Sequence, residues 1–96
     1  MKVYMFQKVK QILSDCNYNC YTEEELFYDY EDAIKYFKEV YNLTIERIEE
    51  HCCEEGEKVF DLCEINHYSK DRCRIFMEDE FWISFEIHEK TIMNFN

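Results

Sequence analysis

The chain has 96 residues, 47% hydrophobic and 18% aromatic, enough apolar material for one domain with a single modest core and too much for a disordered chain. Twenty-two acids against eleven Lys and Arg give a formal charge of −11, a field that repels nucleic acid and anionic membrane surfaces and attracts basic partners. One Gly and no Pro exclude a Gly-rich phosphate loop and favour helices and plain hairpins over a loop-rich fold.

Residues 2–15 fit a first helix, with Val3, Phe6, Val9 and Leu13 at helical spacing and Ile12 beside them. Lys8 then faces away from that stripe. A short opening strand, KVYMFQ, is the alternative. The polar run from Ser14 to Thr22 follows as a loop.

The stretch Thr22 to Cys53 dominates the sequence. Leu26, Tyr30, Ala33, Ile34, Phe37, Tyr41, Ile45, Ile48 and Cys52 recur at steps of mostly three or four residues, the mark of one helix face. Thr22 and Glu25 stand at capping-box spacing, and Glu23, Glu24 and Glu25 suit the positive end of a helix dipole. A start at Asp29 or Tyr30, with LFYDY as a strand, is the alternative. The helix either runs unbroken to Cys53 or breaks near Asn42, where the two β-branched residues of Leu43-Thr44-Ile45 weaken it slightly. Gly56 ends the helical region.

After Gly56 the period changes to two. Val59, Asp61, Cys63 and Ile65 alternate with Phe60, Leu62, Glu64 and Asn66. A turn at 67–71 follows, then Cys73, Ile75 and Met77, a charged turn at 78–80, and Phe81, Ile83, Phe85 and Ile87 on one side of a last strand. Trp82, Ser84, Glu86 and His88 take its other side, beyond which the tail from Lys90 has no clear pattern. The expected fold is therefore α+β: N-terminal helices, one of them acidic and dominant, packed on a three-stranded antiparallel sheet within a single domain of residues 1–96.

The opening MKVYMFQKVKQ has no long apolar core, and no run approaches the roughly 18 apolar residues of a membrane span. The expectation is a cytoplasmic chain whose six Cys act mostly as small buried hydrophobes. Cys16 and Cys20 with His51, Cys52 and Cys53 offer zinc-type ligands without a full knuckle spacing. Adjacent cysteines on a helix point about 100° apart, which suits one ion poorly, so no metal or other cofactor is expected. His51, His67 and His88 stand beside no nucleophile motif, and the chain is not expected to be an enzyme.

The charge is concentrated. Residues 15–57 hold fourteen acids against Lys35, Lys38 and Arg47, which accounts for −11. Asp32, Glu39 and Glu46 are spaced by sevens and form one row on a helix, about 10 Å between charges, with Glu49 and Glu50 extending it. Glu24 and Asp29 add a cluster at the helix start, and Tyr28, Tyr36 and Trp82 are candidate aromatic anchors. The same acids also suit a solvated helix face. Lys35 stands within three or four residues of Glu31, Asp32 and Glu39 and interrupts the row by pairing.

In size, in the acidic TEEELFYDYED and ERIEEHCCEEGE stretches and in the lack of a catalytic motif, the chain resembles the small acidic proteins that phages encode against host defences, anti-CRISPR proteins among them. That resemblance implies an inhibitor that blocks a basic, nucleic-acid-binding surface of a host protein such as a CRISPR effector, without binding nucleic acid or membrane itself. The alternative is a structural or regulatory homodimer that associates through Trp82 and Phe76 on the sheet face.

Overall fold

The last strand expected from the sequence forms the middle of the molecule. The structure, a computed structural model, describes residues 1–13 and 19–92. β1 (Lys2–Ile12), β2 (Cys20–Phe27), β3 (Glu64–Ser69), β4 (Arg72–Met77) and β5 (Phe81–Thr91) form one antiparallel sheet in the order β2-β1-β5-β4-β3. α1 (Tyr30–Cys52) packs across one face of it, chiefly over β1 and β5, and α2 (Val59–Leu62) is a single helical turn beside α1. Among the described residues no helix is long and apolar enough to cross a membrane.

This corrects the expected fold. Among the described residues there is no helix before α1, the sheet has five strands instead of three, and Cys20–Phe27 is a strand instead of the start of the acidic helix. The reason for the first error lies in where β1 sits. It is an interior strand, and both of its faces bury side chains: Val3 and Met5 on one, Phe6 on the other. A strand buried on both sides loses its alternation. The spacing of Val3, Phe6 and Val9 then imitates a helix. The alternative reading of KVYMFQ as a strand names the right element but ends at Gln7, five residues short of Ile12.

β2 is strand despite three consecutive glutamates, residues that disfavour strands. Pairing overrides propensity here. Phe27 lies opposite Tyr4, Thr22 opposite Val9 and Glu23 opposite Lys8, and Gln7 Nε2 donates to Glu24 Oε1 at 3.2 Å. As an edge strand, β2 is exposed at nearly every position, and charges on such an edge discourage pairing with another chain. The capping box at Thr22 does not form. Asp29 caps the helix instead: its backbone is extended and its Oδ1 accepts from Glu31 N at 2.9 Å.

α1 runs without a break past Asn42. Thr44 is buried, and its hydroxyl donates to the Val40 carbonyl at 2.8 Å, so a polar β-branched residue is satisfied within the helix. Ala33, Phe37, Thr44 and Ile48 face the sheet. Phe37 and Ile48 join Phe6 and Ile75, with Phe81, Ile83 and Phe85 from the central strand, in one core cluster. Phe37 stands edge-on to Phe6 at 6.0 Å and to Phe85 at 5.9 Å, the arrangement aromatic quadrupoles favour.

Beyond Gly56, Val59 to Leu62 is helical instead of extended, with Lys58 N donating to Asp61 Oδ2 at 2.9 Å. β4 and β5 carry the alternation seen in the sequence, and Phe81, Ile83 and Phe85 are buried beneath α1. Asp79 supplies the left-handed backbone of the β4–β5 turn at φ 63°, a role that Asp fills where no Gly is present. Cys16 and most of the expected loop before β2 lie outside the described residues, as do residues 93–96.

Candidate partner-binding surface

The sheet has two unlike sides. Its inner side, under α1, carries Tyr21, Glu23, Glu25 and Phe27 of β2. Its open side carries Thr22, Glu24 and Leu26 of β2, then Gln7, Val9 and Gln11, then Trp82, Ser84 and Glu86, then Arg72, Arg74 and Phe76. This partition divides the residues singled out in the sequence.

Asp32, Glu39, Glu46, Glu49 and Glu50 are all exposed on α1. At about 100° per residue, Asp32, Glu39, Glu46 and Glu50 fall within a narrow stripe opposite the buried face. Leu43, 46% exposed, falls on the same stripe between Glu39 and Glu46. Helical spacing alone identifies it, as an apolar position among the acids. Asp29 is exposed at the head of α1, and Tyr28 beside it is 80% exposed.

Glu23 and Glu25, whose sequence context suits a helix start, belong to this surface instead. They project from β2 to the side where α1 lies, and their charges reach the Tyr36 phenol together with that of Glu39. Burial is the main cause that raises the Tyr36 pKa, and Glu25, Glu23 and Glu39 add to it. The outer face of α1 and the inner side of β2 are thus one negative field. Tyr36 is not a free anchor: its ring packs against Phe6 at 5.1 Å and Phe27 at 5.3 Å.

Glu24 and Trp82 lie on the other side of the sheet and cannot join the α1 row in one flat contact. Trp82 Nε1 donates to Gln11 Oε1 at 2.8 Å, and the Arg74 guanidinium stacks over its ring at 4.9 Å. Phe76 is its direct cross-strand partner. Trp82 and Arg74, with Arg72 and exposed Tyr68, border a shallow cavity of about 480 Å³.

Ion pairs among the described residues are Lys2–Glu89 at 3.2 Å, Arg72–Glu86 at 3.7 Å and, with the ring protonated, His88–Glu86 at 2.9 Å. None involves an acid of α1 or β2. Lys35, expected to interrupt the row, makes no ion pair among the described residues.

The cysteines divide by burial. Cys63 and Cys73 are buried, Cys53 is half-buried, and Cys20 and Cys52 are exposed. Burial pushes the Cys73 thiol up to about 11. Cys20 lies on β2, whereas His51, Cys52 and Cys53 end α1. Among the described residues no three His, Cys, Asp or Glu side chains gather as metal ligands do.

A scan against protein-family models, a search of curated proteins and a search of solved structures each returned no match.

Proposed function

We propose that this chain is a small acidic inhibitor that covers a basic, nucleic-acid-binding surface of another protein, with the outer face of α1 and the β2 edge as its contact surface. A single observation carries the reading: the acids of that surface have no ion-pair partner among the described residues, although Lys35 and Lys38 share the helix. Asp32, Glu39 and Glu46 stand about 10 Å apart along a rigid rod, and Glu23 and Glu25 widen the field beside them. Exposed Leu43 and Tyr28 give this surface apolar contacts beside the charges. A host defence effector that handles nucleic acid is the kind of partner the resemblance to phage-encoded inhibitors implies.

The test is a pull-down from host lysate with the purified chain, followed by affinity measurement against the recovered partner. A basic nucleic-acid-handling protein is expected. Its affinity should fall steeply between low and high salt, because rim charges are screened, and nucleic acid should compete for it. The triple reversal Asp32→Lys, Glu39→Lys, Glu46→Lys should abolish binding. Undiminished binding by that variant means the acids are only a solvated face.

A second reading is a homodimer through the open side of the sheet. The pairing of Phe76 with Trp82 favours it. Arg72 and Arg74 flank the same patch, so a two-fold contact there brings like charges together. Light scattering at micromolar concentration separates the readings: a strict monomer removes the dimer.

A further inference from the structure

Two lysines occupy strand positions that should be apolar. Along the inner side of β1 the residues are Tyr4, Phe6, Lys8, Lys10 and Ile12, and their cross-strand partners on β5 include Phe85, Ile83 and Phe81. Charges placed on the core side of a strand contradict the pattern that builds the sheet, and such conflicts concentrate at functional sites.

Around these lysines the cover of α1 is incomplete. Lys8, Lys10, Ile12, Tyr21, Glu23 and Arg47 line a cavity of about 400 Å³, within the rough 300–1,000 Å³ of small-molecule sites. A second hollow of about 210 Å³ adjoins it, sharing Lys8, Lys10 and Arg47 and extending to His51 and Phe81. Lys8 Nζ sits 5.9 Å from the Phe85 centroid and Lys10 Nζ 5.5 Å from that of Phe81. No carboxylate lies within ion-pair distance of Lys8, Lys10 or Arg47 among the described residues. Glu23 is the one acid on the rim. The Lys8 ammonium is destabilised first by burial and also by Lys10 and Arg47, with Glu23 acting against them.

We infer that this cleft binds a small aromatic phosphate monoester of nucleoside monophosphate size, its phosphate between Lys8, Lys10 and Arg47 and its ring against Tyr21. Two ammonium groups and one guanidinium match a dianion better than a single carboxylate. Tyr21 is 54% exposed and offers an aromatic surface beside the cations, suited to stacking. The charge of −11 excludes a nucleic-acid strand, because the acids of α1 and β2 repel every further phosphate. A ligand confined to the cleft meets only Glu23. The proposal is independent of the acidic docking surface.

Adenosine 5′-monophosphate is the probe, titrated into the isotope-labelled chain and followed by amide chemical shifts, with adenosine and inorganic phosphate as comparisons. Saturable shifts at Lys8, Lys10, Tyr21 and Arg47 are expected, with affinity at least tenfold above either comparison. Arg47→Gln, at an exposed position, and Lys10→Gln should each weaken binding about tenfold, as loss of one charge-assisted hydrogen bond does. A shift spectrum that reports a folded chain but no saturation overturns the proposal. So does equal binding of adenosine, equal binding of inorganic phosphate, or retention of affinity in both variants.

Discussion

Lys8 and Phe85 are direct cross-strand partners on the core side of the sheet, with the Lys8 amine 5.9 Å from the ring centroid. An ammonium group at that depth opposes folding. Lys8→Met keeps the stem and removes the charge, so the melting temperature should rise by a few degrees. Burial holds the Lys8 pKa below its ordinary value near 10.5, so the folded chain releases this proton before the unfolded chain does. The penalty is complete at neutral pH and fades as pH climbs toward 10.5. Urea denaturation of parent and variant at pH 7 and pH 10 should show the advantage shrinking at the higher pH. An advantage that grows with pH contradicts this.

Asp29 and Thr22 provide a test of where the helix begins. Asp29→Ala should cost about 1 kcal/mol, the usual value of a side-chain N-cap. Thr22→Ala, on an exposed edge strand, should stay within about 0.5 kcal/mol. Chemical denaturation of the two variants decides between them, and the reverse ranking would restore the capping box at Thr22.

Phe85 is fully buried at the centre of the sheet and contacts Phe6, Phe37 and Tyr41. Phe85→Ala should cost about 3–5 kcal/mol, a large share of the roughly 5–15 kcal/mol that a small domain has. Far-UV circular dichroism should show a chain that unfolds at much lower urea or is unfolded from the outset. Phe60→Ala, at a side chain 73% exposed, should change little.

Reversal of the acid row carries a stability prediction of its own. Crowded like charges oppose the compact state, so Asp32→Lys, Glu39→Lys, Glu46→Lys should melt at or above the parent temperature at low salt. The difference should narrow as salt screens the field. A variant that melts well below the parent would assign these acids a role in holding the fold.

Cys73 predicts alkaline sensitivity. Its thiol pKa lies near 9 in the unfolded chain and is raised to about 11 by burial. The folded chain therefore keeps a proton that the unfolded chain loses, and stability falls as pH rises from about 9 to 11. Cys73→Val, similar in size and without a titrating group, should lose less stability than the parent between pH 8 and pH 10.5 in thermal melts. Identical slopes would mean that this thiol is not protected.

The sequence by itself determined the quantities that need no partner. The −11 charge and its confinement to residues 15–57 are arithmetic. The inward stripe of α1 through Ala33, Phe37 and Ile48 and the alternation of Phe81, Ile83 and Phe85 are local periodicities that burial preserves, because each of these elements hides only one side from water. Tertiary structure alone decided the rest. Lys2–Ile12 is a strand because Thr91 to Phe81 lie opposite it, a pairing across almost the whole chain that no local window contains. Burial on both of its faces erased the period that would have revealed it. Cys20–Phe27 is a strand because β1 presents an edge, against the preference of its glutamates. Register then assigned the sides. One residue separates Glu24 from Glu23 and Glu25, yet in a strand that step is the thickness of the sheet, so Glu24 joins Trp82 and Arg74 while its neighbours join the helix.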